Sequence, residues 1–181
     1  SSSTEALNIL IQGQEYFDGC NIYISPFEHN AVTRVIHHLE YQYRLNVHQL
    51  SVDRTTMEYD IEKIKAQFSR NKPNFLIVSH ASNVCGLIAP VEELCNIAKR
   101  YDATTIIDMS QTAGLIDISL NNGDLDYAVF AGHKTLYGPF GISGFVVKEA
   151  KLPNPLLFGG TGIESANQDL PEQTPARFEV G

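Results

Sequence analysis

Asn74-Phe75-Leu76-Ile77-Val78-Ser79 and Thr104-Thr105-Ile106-Ile107-Asp108 decide the architecture. Each is a short apolar run that reads as a buried strand. Between them, Pro90 to Tyr101 reads as a helix with its proline near the first turn, where a missing N–H is tolerated. Strand, helix, strand in that order predicts two parallel strands joined by a crossover helix.

The same alternation extends outward. Thr4 to Gly13 reads as a short helix behind a Ser/Thr cap, Asn21 to Ser25 as a strand closed by Pro26, and Asn46 to Val52 as a further strand. Ala31 to Tyr43 is helical, with Val32, Val35, Ile36 and Leu39 at helical spacing, and Ile61 to Phe68 is a second helix. Leu125 to Phe130 and Ile142 to Val147 read as the last strands. The expected fold class is α/β, a mainly parallel sheet sandwiched by helices, over residues 1–152. Pro153 to Gly181 reads as a loop-rich segment, with four prolines and no core of its own. In such sheets a ligand sits beyond the carboxyl ends of the strands.

Composition narrows the chemistry. The 181 residues are 43% hydrophobic, enough for one domain with a sizeable core. A net charge of −8, without a basic stretch, argues against nucleic acid and suits a small-molecule substrate. No apolar run is long enough for a membrane span, and the opening residues lack the basic region of a secretory leader. Cys20, Cys85 and Cys95 are an odd count without metal spacing, so a reducing, cytoplasmic setting is expected.

Three strand ends gather polar residues: Ser79-His80-Ala81-Ser82-Asn83, Asp108-Met109-Ser110-Gln111 and Gly132-His133-Lys134. Loops at one sheet edge are held by a rigid scaffold and make sites. Lys134 lies among Gly132, Gly138 and Gly141, residues that allow close backbone approach to a ligand. In a partly buried pocket a lysine serves as nucleophile or base; on an open surface it is merely solvated. Asp108 follows a buried run and must be paired or face something cationic, such as a protonated pyridine nitrogen. An N-cap or a structural ion pair satisfies it equally. Gln111 can donate to a ring oxygen or be an ordinary loop amide. His29, between a strand and a helix, can stack on a flat heterocycle or move protons, or it can simply cap the helix. Ser1-Ser2-Ser3-Thr4, leading into a helix, offers hydroxyls and free N–H groups to a phosphate, or is a frayed end.

Taken together, these segments resemble the class V aminotransferase family, in its cysteine desulfurase-like branch. They are Thr4-Glu5-Ala6-Leu7-Asn8, Glu28-His29-Asn30-Ala31, Ser79 to Gly86, Asp108 to Gly114, Gly132 to Gly141 and Arg177-Phe178-Glu179-Val180-Gly181. The most specific pair is Asp108-x-x-Gln111 in register with Gly132-His133-Lys134. The resemblance implies a pyridoxal-phosphate enzyme with the large domain of fold type I. It implies Lys134 as the Schiff-base lysine, Asp108 as the pyridinium partner and Gln111 against the ring hydroxyl oxygen. It places His29 over the ring, Asn83 near the ring oxygen and the substrate carboxylate, and Thr4 and His133 on the phosphate.

The chain departs from the pattern at Ala131, where many desulfurases carry a phosphate-binding serine. Family members are also longer. Their small C-terminal domain brings a carboxylate-binding arginine and a sulfur-accepting cysteine, which none of the three cysteines here matches. The expectation is therefore a truncated large domain. Its parent would be a homodimer that converts L-cysteine to L-alanine and passes sulfur to an acceptor protein. Other class V reactions are selenocysteine lyase, aminotransferase and epimerase chemistry, and a non-catalytic binding scaffold is a further alternative.

Overall fold

Ten elements follow the expected alternation among the described residues, which are 2–121, 124–148, 151–163 and 167–180. Ser1 and Gly181, both in stretches read above, lie outside them. In this computed structural model α1 spans Ser3–Gln12, β1 Asn21–Ile24, α2 Asn30–Tyr43, β2 Asn46–Gln49 and α3 Ile61–Arg70. β3 follows at Phe75–Ser79, α4 at Val91–Lys99, β4 at Thr104–Asp108, β5 at Tyr127–Ala131 and β6 at Ser143–Val147.

The strands form one sheet in the order β2-β1-β3-β4-β5-β6. All neighbours are parallel except β6, which runs antiparallel to β5. The chain steps outward from β1 to β2 and, in the other direction, from β3 to β4 and β5. The reversal between β1 and β3 opens a crevice beyond their carboxyl ends, where open α/β sheets bind ligands.

Side-chain alternation sorts the core into two layers. Phe75 and Ile77 of β3 pack with Leu7, Leu10, Val32 and Ile36 of α1 and α2. Leu76 and Val78 pack on the other face with Ile64, Phe68 and Leu94 of α3 and α4. Both faces of β3 are thus fully used, which is why its sequence is a continuous apolar run rather than an alternating one. Truncating Ile77 or Leu76 to alanine would cost about 2–5 kcal/mol.

All element boundaries lie within two residues of the sequence reading except the end of β2. β2 ends at Gln49, not Val52, because Ser51 N–H donates to Gln67 Oε1 at 3.0 Å and Val52 keeps only an isolated bridge to Tyr59. Pro90 is the N-cap of α4, next to its first turn as expected. From 152 onward the described residues contain no strand and no α-helix. No helix among the described residues is long and apolar enough to cross a membrane.

Candidate active site

At the carboxyl ends of β3, β4 and β5 lies a cleft with about 310 Å³ of empty space, its open mouth included. His29 and Ala31 line it from the start of α2, and Ser79, Ala81 and Asn83 from the end of β3 and the turn beyond. Asp108 comes from the end of β4, Ser110 and Gln111 from the segment after it, Lys134 from the turn after β5, and Ser3 and Leu7 from α1. Five sequence-predicted residues therefore share one cleft: His29, Asn83, Asp108, Gln111 and Lys134.

The Lys134 turn is held by its glycines. Gly132 N–H donates to Ile142 O at 2.7 Å, and Gly138 N–H donates back to Gly132 O at 2.7 Å. A Cβ on Gly132 would lie 2.5 Å from the Ile142 carbonyl oxygen. This glycine admits a neighbouring backbone, not a ligand as its surroundings suggested in sequence. Thr135 Oγ1 donates to Ala113 O at 2.6 Å and pins the turn to the segment after β4. The Lys134 amine itself makes no hydrogen bond or ion pair among the described residues.

Asp108 ends β4 and is 7% exposed. Its Oδ1 accepts from Ser110 N–H at 2.9 Å, and no described cation pairs with it. Beside it lies Glu28, a residue that sequence reasoning quoted without a role. Glu28 Oε1 accepts from Ser79 N–H and Oε2 from Ser79 Oγ, both at 2.7 Å, and Ser79 is the cross-strand partner of Asp108. Burial of the Glu28 carboxyl pushes its pKa up to about 8; the Ser79 bonds oppose this and the nearby Asp108 charge adds to it. Near neutral pH Glu28 is mostly a neutral acid that ties the loop after β1 to the tip of β3. The rule that singled out Asp108, that a carboxylate following a buried strand needs a partner, applied equally to Glu28.

His29 does two things at once. Its Nδ1 accepts from Ala31 N–H at 3.0 Å, capping α2, while its ring lines the cleft. The cap needs a lone pair on Nδ1, which leaves the ring proton on Nε2. His80 is structural. It is 4% exposed, its Nδ1 meets Thr112 Oγ1 at 2.9 Å, and burial lowers its pKa.

Two expected residues lie beside the cleft rather than in its lining. Thr4 faces the adjoining groove with Asn8, His29 and Arg34, while Ser3 and Leu7 are the α1 residues in the cleft lining. The Ser2 hydroxyl is already committed, accepting from Glu5 N–H at 3.1 Å as the cap of α1. His133 stacks on Phe140 with ring centroids 5.0 Å apart, and its buried Nδ1 has no partner. The Ser110 hydroxyl is likewise buried and unpartnered. Cys20 and Cys95 are buried thiols, pushed up by burial to about 11 and about 12. Cys85 is exposed, and a hydrogen bond with Ser82 lowers its pKa.

The sheet order and the cleft define the large domain of a fold-type-I transferase. The chain belongs to the class-V aminotransferase family, whose model matches residues 1–181. It is 32% identical over 165 residues to the cysteine desulfurase IscS of Dictyoglomus turgidum, covering 89% of this chain and 41% of that protein. It is 32% identical over 189 aligned positions to a cysteine desulfurase of Escherichia coli, covering 99% of this chain and 45% of the relative. An apo cysteine desulfurase structure from Thermococcus onnurineus superposes with a TM-score of 0.88 at 28% identity, over 99% of this chain and 46% of that one. The Escherichia coli cysteine desulfurase CsdA shares the fold, with a TM-score of 0.85 at 22% identity over 99% of this chain and 46% of its own. The chain thus spans less than half the length of these relatives.

Proposed function

We infer that the chain is the cofactor-carrying part of a pyridoxal-phosphate-dependent cysteine desulfurase. The observation that carries this is the cleft itself, where an unpaired lysine amine and a buried carboxylate without a cation share one lining. The polar groups suit the cofactor's chemistry. Asp108 offers a negative charge to a protonated ring nitrogen, Gln111 a free amide to a ring oxygen, and Lys134 an amine to an aldehyde. The unpartnered Ser110 hydroxyl and His133 Nδ1 are further groups whose burial without a partner calls for one.

When bound, pyridoxal phosphate supplies an electron sink for a carbanion at the amino acid's Cα. The residues of this chain do the rest. Lys134 would be the covalent anchor and would carry a proton at Cα. Asp108 keeps the ring nitrogen charged. Glu28, clamped to Ser79, fixes the start of α2 and so the position of His29. His29, with its Nε2 proton available, would face the ring, and Asn83 would serve a ring oxygen and the substrate carboxylate. Thr4 and His133 serve the phosphate.

On this reading the whole protein removes sulfur from L-cysteine, releases L-alanine and passes the sulfur to an acceptor from outside this chain. A homodimer and a cytoplasmic setting belong to the same reading. Val84, Tyr137, Phe140 and Phe158 are large apolar side chains left exposed, as residues covered by a further domain or subunit would be. The test is to supply full-length protein with pyridoxal phosphate, L-cysteine and a thiol reductant that releases the transferred sulfur as sulfide, and to measure alanine and sulfide. Alanine in step with sulfide supports the reading. A keto acid or an inverted amino acid without sulfide release overturns it in favour of transamination or epimerisation.

A further inference from the structure

Ala131 ends β5, fully buried, and its cross-strand partner is Ser143, the first residue of β6. Directly opposed residues of an antiparallel pair project from the same face, with Cβ atoms about 4.5–5.5 Å apart. That face is the one α1 covers. Tyr127 and Val129 of β5, with Phe145 and Val147 of β6, pack in the α1 and α2 layer. Stepping by two along each strand puts Ala131 and Ser143 on the same side.

The direction of α1 follows from its other end. Gly13, just past the helix, accepts at its carbonyl from Asn154 N–H at 2.8 Å, beyond the far end of β6. The N-terminus of α1 therefore lies at the edge where Ala131 ends and Ser143 begins. Two of its early amides are taken, Glu5 N–H by Ser2 Oγ and Ala6 N–H by Ser2 O. The rest of the first turn is open to an anion.

Two buried polar atoms at this corner have no partner, Ser143 Oγ and His133 Nδ1. A buried hydroxyl is almost always hydrogen-bonded, so each such exception calls for an explanation. An anion at the start of α1 supplies one acceptor for both.

We propose that Ser143 binds the phosphate of pyridoxal phosphate, its hydroxyl reaching across from β6 to the place that Ala131 leaves without one. This rests on the cofactor reading above. The carboxylate of Asp108 stands on the β3–β4 side of the cleft and repels a dianion. The start of α1, His133 and Ser143 stand on the β5–β6 side and attract it. The ring nitrogen and the phosphate are thus sorted to opposite sides. The phosphate site keeps a serine hydroxyl, moved from the carboxyl end of one strand to the amino end of its neighbour.

The test compares pyridoxal phosphate with pyridoxal, which lacks the phosphate, by absorbance titration of full-length apo-protein. Ser143→Ala should weaken pyridoxal phosphate by about 10–150-fold, the range expected for one hydrogen bond to a charged group. Pyridoxal affinity should not change, which also reports that the variant is folded. Ser143→Thr keeps the hydroxyl and should retain most of the affinity. Ala131→Ser placed in the Ser143→Ala background should restore most of what was lost. Equal affinities of wild type and Ser143→Ala for pyridoxal phosphate overturn the proposal. Equal losses for both ligands do the same, since they mark a structural role. Wild type that binds neither ligand overturns the cofactor reading itself, and this proposal with it.

Discussion

Two buried carboxylates sit at opposite edges of the same sheet, Asp126 just before β5 and Asp108 at the end of β4. They are 3% and 7% exposed. Asp126 is closed on all sides. Its Oδ2 accepts from Lys99 Nζ and from Thr105 N–H at 2.9 Å, and its Oδ1 pairs with Lys151 Nζ at 3.1 Å. Burial pushes its pKa up, but the Lys99 and Thr105 hydrogen bonds and the charges of Lys99 and Lys151 outweigh this, and the net direction is down. Asp108 has one described hydrogen bond, from Ser110 N–H, and no cation. The chain supplies cations where a carboxylate holds the fold and withholds them where one faces the cleft. A buried charge left without its counter-ion marks a place where a ligand brings one.

Neutralising each carboxylate in the full-length protein should separate the two roles. Asp126→Asn leaves Lys99 without its partner and should cost about 3–5 kcal/mol in urea unfolding, with turnover per folded molecule nearly unchanged. A loss below about 1 kcal/mol would mean the cluster behaves as a surface pair and would break the comparison. Asp108→Asn should do the reverse. Turnover should fall about 10²-fold, the scale of losing a strong electrostatic contact to the transition state, with little change in the unfolding midpoint. Near-normal turnover would make Asp108 a second structural carboxylate.

Glu28 sharpens the contrast through pH. Its native pKa of about 8 stands above the ordinary 4.5, so between those values the native state holds a proton that the unfolded chain has lost. Its contribution is fully present below about pH 4.5 and is lost as pH rises through about 8. Over that window apo-protein stability should decline by up to about 1.4 kcal/mol per pH unit from this group. Glu28→Gln removes that slope, so urea midpoints of variant and wild type should converge or cross toward pH 8.5. Parallel curves would show that Glu28 is ionised in the native state.

The smallest effect is expected at Ala131. Because Ser143 already supplies a hydroxyl at this corner, Ala131→Ser alone should tighten pyridoxal phosphate less than tenfold in a dissociation-constant titration. A gain near a hundredfold would show a phosphate that lacks a ligand.

Local pattern carried most of the fold. The apolar runs of β3 and β4 and the helical spacing of Val32, Val35, Ile36 and Leu39 are short-range signals, and each element formed where they pointed. That Lys134, Asp108 and Gln111 share one cleft was legible because polar groups that follow buried strands gather at one edge of the sheet. What was missed depends on pairing across the sheet. Glu28 meets Ser79 across 51 positions of sequence. Ser143 meets Ala131 only through the β5–β6 register, and no local rule says that a serine opening an antiparallel strand stands opposite an alanine closing a parallel one. β2 was read too long because the side chain of Gln67, from α3, takes the amide of Ser51.

The central claim is that Lys134 is the amine that holds the cofactor. Full-length protein loaded with pyridoxal phosphate, reduced with borohydride and digested, should yield one labelled peptide carrying the pyridoxyl group on Lys134, and Lys134→Ala should yield none. Label recovered on any other lysine of the wild-type protein would contradict the account.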